Sequence, residues 1–345
     1  MKKVLFALAA VVALAACSQE DVIVADKGTA IGFDTFVENS TRINDPSLDT
    51  DTMKTAGFGV YGFVTNNDVT APLFTNEHIY WNNVWTYGTK QYWIAGATYD
   101  FAAIAPYDAY EVTSATTNGV TLNFESDGVT DLLYAQNNDI TGPAGTVGFT
   151  FKHLLSKVKF TFTNNYDATN TVIAVKNIVI NDAYSVGAAE LGLSNSAVTA
   201  AWTPSSADLD LAFGNANPAA GYIAQKASQE SDKALLLIPT ASTETTSTYN
   251  VTFTIELLYQ NGVDDADNPV YVKVQEYNHT VALTHNFEFG KSYNVATAID
   301  YTNIVPDDPN DPNDDNEQEP IEFTVDEIID WVDGGNAGVV FPENN

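Results

Sequence analysis

From Ala30 onward the chain is written in short stretches where apolar and polar residues alternate, broken by Asn, Asp, Gly and Pro, with no long stripe at helical spacing. Ile31, Phe33, Thr35 and Val37 fall on one side of the first such stretch, because side chains on a strand point alternately to its two faces. The pattern predicts strands over residues 30–37, 58–63, 91–96, 99–107, 119–124 and 131–136. It predicts further ones over 147–164, 171–182, 234–239, 249–259, 270–283 and 292–301. That is more than one comfortable sandwich holds, so the chain is expected to be all-β with two β-sandwich domains in tandem, 43–150 and 151–303.

After Tyr301 the pattern stops. The stretch VPDDPNDPNDDNEQEP combines Pro, Asp and Asn with almost nothing apolar, and 304–320 is expected to be an extended, self-repelling linker. Its carboxylates and amides are calcium-type oxygen ligands, but the glycine that an EF-hand loop needs at its sixth position is missing, so no metal is expected. Apolar residues return over 321–345, a C-terminal strand appendage. There Ile321, Phe323, Val325, Ile329 and Trp331 share one face, interrupted by Glu327. Thr324 and Glu327 also make a helical capping box, the competing reading, but the period of two favours a strand. The first strand and this last segment both begin Ile-x-Phe, so two segments of the same spacing could fill the same kind of groove.

Charge narrows the partners. Fourteen basic residues against 45 acidic ones give a net charge of -31, which argues against binding nucleic acid or an anionic membrane surface. The start of the chain reads as an export signal: Lys2 and Lys3 precede an apolar run from Val4 to Ala13 that is too short to span a membrane. The run ends in Leu14-Ala15-Ala16-Cys17, which resembles a bacterial lipobox. Residues 1–16 are then a signal peptide and Cys17, the only cysteine, is the lipid attachment site. Glu20 and Asp21 resemble an export tag for the outer leaflet.

Arg42 is the only arginine. It lies in a loop of Asn, Ser, Thr, Asp and Pro between the first two strands, where exposure and nicking are expected. Cleavage between Arg42 and Ile43 would release residues 17–42, removing the lipid and the strand carrying Ile31, Phe33 and Val37 together. A flexible linker would let a neighbour's appendage refill the groove. That is strand addition, and head-to-tail repetition builds an open filament.

Other chemistry is sparse. His78, His153, His279 and His285 are scattered, no HExxH, GxSxG or phosphate loop is present, and Gly57-Phe58-Gly59 reads as the start of a strand. No enzyme activity, catalytic residue or cofactor is expected, and His153 and His285 read as buried, hydrogen-bonded residues. Trp81, Trp85, Tyr87, Tyr92 and Trp93 could form a sugar-stacking platform, though such rings more often fill a core. A platform would show several rings exposed side by side.

The lipobox, the Ile-x-Phe strand before a lone Arg, YW and QYW around YDFAAIAPY, then DLLYAQ, FKHLLSK, LLLIPT and FGKSYNVATAI, in that order, resemble the fimbrillin family, the type V pilins. The resemblance implies transthyretin-like sandwiches, export as a lipoprotein to the outer membrane, and removal of the first strand by an arginine-specific protease. It also implies assembly at the cell surface with other fimbrial subunits, tip or anchor subunits included, into a fimbria serving adhesion or biofilm formation. By position, Cys17 resembles the acylated residue, Arg42 the residue before the cut, and Ile321 to Phe341 the donor of a stalk subunit. The alternative is a monomeric outer-membrane lipoprotein that binds glycans.

Overall fold

The computed structural model describes residues 28–37, 48–193, 197–304 and 320–328. In the first half run β1 (Phe33–Val37), α1 (Thr50–Ala56), β2 (Phe58–Asn66), β3 (Val69–Trp81), β4 (Trp85–Thr86), β5 (Thr98–Ala105), β6 (Glu111–Thr116), β7 (Gly119–Glu125), β8 (Leu133–Thr141) and β9 (Val147–His153). The second half continues with β10 (Ser156–Asn164), β11 (Thr171–Tyr184), β12 (Val186–Gly192), β13 (Ala200–Pro204), β14 (Ala207–Ala216), β15 (Ser228–Glu230) and β16 (Leu235–Leu237). It ends with β17 (Ser247–Val263), β18 (Pro269–His285), β19 (Ser292–Ile299), α2 (Tyr301–Ile304) and β20 (Thr324–Ile328). The protein is all-β, with only two short helices among the described residues.

Four sheets result. The largest has seven strands in the order β1-β9-β8-β5-β2-β3-β4, with β1 at one edge. One face of it, with Met53 of α1, closes around Phe33, Phe58, Phe74, Phe101 and Phe149. Its other face presents Tyr61, Ile104 and Tyr134 to Leu122, Phe124, Leu191 and Trp202 of the sheet β13-β12-β7-β6. Buried on both sides, β2 and β5 read as near-continuous apolar runs, whereas β10 alternates strictly because only one of its faces is interior. A third core lies between the sheet containing β10, β19 and β20 and the sheet β14-β11-β17-β18.

The chain does not divide between these bodies in sequence order. β12 and β13, from beyond residue 150, pair with β7 of the first half, in the register Val186↔Glu125 to Gly192↔Gly119. Trp202 of β13 seals the junction: it is 2 % exposed and its indole N–H donates to Leu154 O at 3.0 Å, in the link from β9 to β10.

Several local expectations are corrected. Residues 91–96 form no strand; the segment makes a single bridge, Ala30↔Tyr92, and turns through Gly96 at a φ of 78°. Residues 147–164 are two strands, separated at Leu154 and Leu155. β3 escaped notice because most of its side chains face solvent, which removes the apolar alternation. Its turn was readable, since Asn67 and Asp68 take φ values of 51° and 61°, the geometry of a two-residue hairpin that Asn and Asp tolerate. Gly57, with a φ of 63°, caps α1 before β2 begins, as its reading at the start of a strand implies; a Cβ there would stand 2.9 Å from Ile79 O.

Candidate strand-exchange site

β1 is an edge strand with one hydrogen-bonded neighbour. It runs parallel to β9, from Phe33↔Val147 to Val37↔Phe151. Ile31, Phe33 and Val37 are 1, 5 and 2 % exposed, so the face predicted from alternation is the buried one. Phe33 stacks on Phe149 at 5.8 Å and meets Phe74 and Tyr87 at 5.6 Å each. Burial of side chains this size stabilises by roughly 1.5–3 kcal/mol each. Ahead of the strand, Tyr87 donates its hydroxyl to Ile31 O at 2.7 Å, and burial holds that phenol above its usual range, so it stays a donor. Ile31 N–H donates to Gln91 O at 2.9 Å.

At the other end β20 pairs antiparallel with β19, from Ala296↔Thr324 to Ser292↔Ile328, also at a sheet edge. The strand reading therefore holds over Thr324–Ile328, and Thr324 donates its hydroxyl to Ala296 O at 3.2 Å rather than capping a helix. Ile321 is 6 % exposed, and Phe323 packs near Phe160, Phe253 and Phe162 at 5.7, 6.1 and 6.4 Å. Val325 joins the same core. The two Ile-x-Phe segments thus each seal a different core from a sheet edge, the first as a parallel strand and the second as an antiparallel one. Beside the second seat, an open groove of about 530 Å³ runs between Ile321 and Phe323 on one side and His279 and Val281 of β18 on the other. Cys17, Arg42, Ile43, Ile329 and Trp331, and the side chain of Glu327, lie outside the described residues.

Of the aromatic group, Tyr87 and Trp93 belong to the core, 3 and 6 % exposed, while Trp81 and Tyr92 are each 39 % exposed. Trp85 stands between, edge-on to both Phe58 and Trp81 at 5.1 and 5.3 Å. The histidines sit apart: His78 stacks on Tyr107 at 3.9 Å, His279 stacks on Phe253 at 5.4 Å, and His285 lies against Phe287 and Tyr293. Burial pushes His279 below its usual pKa. His153 is fully interior and meets Asp131, a residue that sequence reasoning passed over as the first letter of a strand motif.

One charged cluster sits on the sheet beside this core. Glu256 is 8 % exposed and is reached by Lys176 at 2.5 Å and Lys273 at 3.3 Å. Burial alone would raise its pKa, but the hydrogen bonds and charges of the two lysines outweigh that and hold it below the usual carboxylate range. A depressed folded-state pKa stabilises the fold above the unfolded value and loses that stabilisation as pH falls through the folded one. Glu256→Gln is therefore expected to lower stability near neutrality by about 1 kcal/mol, the half-exposed lysines being screened by solvent. It should also flatten the acid side of the curve below roughly pH 4.5. Denaturant midpoints of wild type and variant between pH 3 and pH 7 check this; parallel curves would contradict it.

The architecture defines an all-β sandwich protein with one edge strand from each end of its described chain sealing a different core. A model of the fimbrillin-like family matches residues 41–310, and the chain belongs to that family, whose members are fimbrial proteins of the cell surface. The crystal structure of a fimbrial protein from Bacteroides vulgatus is similar with a TM-score of 0.60 at 19 % identity, over 87 % of this chain and 98 % of that one. A candidate cell adhesion protein from Bacteroides ovatus is similar over 88 % of this chain and 98 % of that one, at 14 % identity and a TM-score of 0.45. No curated protein matches the chain.

Proposed function

We propose that the chain is a structural subunit of a fimbria, exported to the outer membrane as a lipoprotein on Cys17, processed between Arg42 and Ile43 by an arginine-specific protease, and polymerised by strand exchange. The observation that carries this reading is the seat of β1. Phe33 and Val37 of that strand, with Ile31 just ahead of it, are buried in an aromatic core, yet the strand's only ladder is to β9 and it lies on the N-terminal side of the lone arginine. Removing it opens an apolar groove at the cost of that ladder and of the few bonds that Thr29, Ala30 and Ile31 make with Tyr87 and residues 91–93.

The C-terminal segment supplies the replacement in a neighbouring copy. Ile321, Phe323 and Val325 already have a place in their own molecule, so they act as its root. The reaching part is drawn from Ile329, Trp331 and the apolar residues beyond, up to Phe341. The filament made this way serves adhesion or biofilm formation, with other fimbrial subunits as partners.

N-terminal sequencing of material shed from the cell surface tests the reading, together with gels of unboiled samples. Expected are a chain starting at Ile43 and a high-mass ladder that collapses on boiling. A monomer that retains acylated Cys17 would overturn it and favour a glycan-binding lipoprotein.

A further inference from the structure

Two of the motifs that carry the family resemblance, DLLYAQ and FKHLLSK, meet at one buried point. Asp131 opens the first and stands just before β8; His153 ends β9. Both side chains are interior, 0 and 2 % exposed, and His153 Nδ1 meets Asp131 Oδ2 at 2.7 Å. The same carboxylate oxygen accepts the backbone N–H of Leu48 at 2.9 Å. The other oxygen, Oδ1, is buried without a hydrogen-bond partner among the described residues. A carboxylate in so dry a place is costly unless strongly bonded, which makes the bonds it does form firm ones.

The location gives this pair its meaning. β1 ends at Val37, paired with Phe151, two residues before His153 on the same strand β9. Leu48 follows Arg42 in the chain and stands directly ahead of Asp49, whose carboxylate caps α1 by accepting the N–H groups of Asp51 and Thr52 at 3.0 and 2.7 Å. Met53 of α1 is completely buried in the core that Phe33 fills. The described chain before Arg42 is thus fixed to β9 by a ladder, and the described chain after it is fixed to β9 through Asp131 and His153.

We propose that the Asp131–His153 pair is a latch that holds Leu48 and α1 on the body when β1 departs, so that the vacated seat keeps its shape for an incoming strand. This rests on processing at Arg42 as proposed above. Without the latch, a core that has lost Ile31, Phe33 and Val37 has little to stop α1 peeling away and taking Met53 with it. Asp131 and His153 are positioning residues that act through Leu48.

The test is amide hydrogen exchange on the full chain before and after treatment with an arginine-specific protease, for which Arg42 is the single substrate residue. In wild type, residues 48–57 are expected to exchange within about threefold of the same rate before and after the cut. In Asp131→Ala they are expected to exchange about ten- to a hundredfold faster after the cut, while Phe101–Ala105 of β5 stays unchanged. His153→Leu should behave the same way, and His153→Asn, whose amide nitrogen can stand where Nδ1 does, should restore the wild-type rates. The proposal falls if wild type loses protection over 48–57 on cutting, or if Asp131→Ala matches wild type in the cut chain. It falls equally if β5 speeds up by the same factor or if the intact variants fail to fold, since the pair would then be a general stability element. Resistance of Arg42 to the protease counts against the processing reading instead, and a chain expressed from Ile43 then carries the same comparison.

Discussion

Replacing Arg42 by alanine is expected to abolish the high-mass ladder entirely and leave a monomer with its first strand in place. The reason is competition. β1 is covalently attached to the sheet it seals, which gives it an effective concentration on the order of millimolar against any strand from another molecule. Its Ile31, Phe33 and Val37 are already buried. An incoming strand offering similar side chains gains nothing until the resident has been cut loose. Arg42→Lys separates two enzymologies: a protease strict for arginine leaves this variant monomeric, whereas one that accepts lysine restores the ladder. A ladder of wild-type intensity from Arg42→Ala, seen on unboiled gels, would mean that the first strand never needs to leave.

The inward face of the first strand and the all-β class could be read from spacing alone, because one face buried and one face wet leaves a period of two in the residue types. Ile31, Phe33 and Val37 were legible for that reason, and so was the strand through Thr324 and Val325. Three things were not. β3 is mostly exposed, so its sequence VTAPLFTNEHIYW carries no stripe, and only its Asn67-Asp68 turn announces it. The pairing of β12 with β7 joins residues far apart in sequence, and Ala188, Ala189 and the glycines on either side are too small to declare a buried strand. The Asp131–His153 contact was hidden because each residue sits among apolar neighbours in a strand-like run, and nothing in either run names the other. Tyr87 was visible as an aromatic, but its hydroxyl bond to Ile31 O follows from tertiary placement.

Two truncations should come apart sharply. Ending the chain before Ile329 leaves β20 on β19 with Ile321, Phe323 and Val325 in the second core, so denaturant stability should stay within about 0.5 kcal/mol of wild type. Ending it before Ile321 removes a buried isoleucine and a phenylalanine ringed by Phe160, Phe162 and Phe253, and strips β19 of its outer partner. That should cost about 3–5 kcal/mol, the range for emptying a large apolar site. Both truncations should lose the ladder, but for different reasons: the shorter deletion because the reaching part is gone, the longer one because its root is gone as well. The order of events at the C-terminus follows from the comparison. A ladder that persists after truncation at Ile329 would place the exchanging residues within Ile321–Ile328 and require β20 to leave its own sheet during assembly. Loss of the ladder with an unchanged unfolding midpoint would separate the strand that closes the subunit from the strand that joins it to the next.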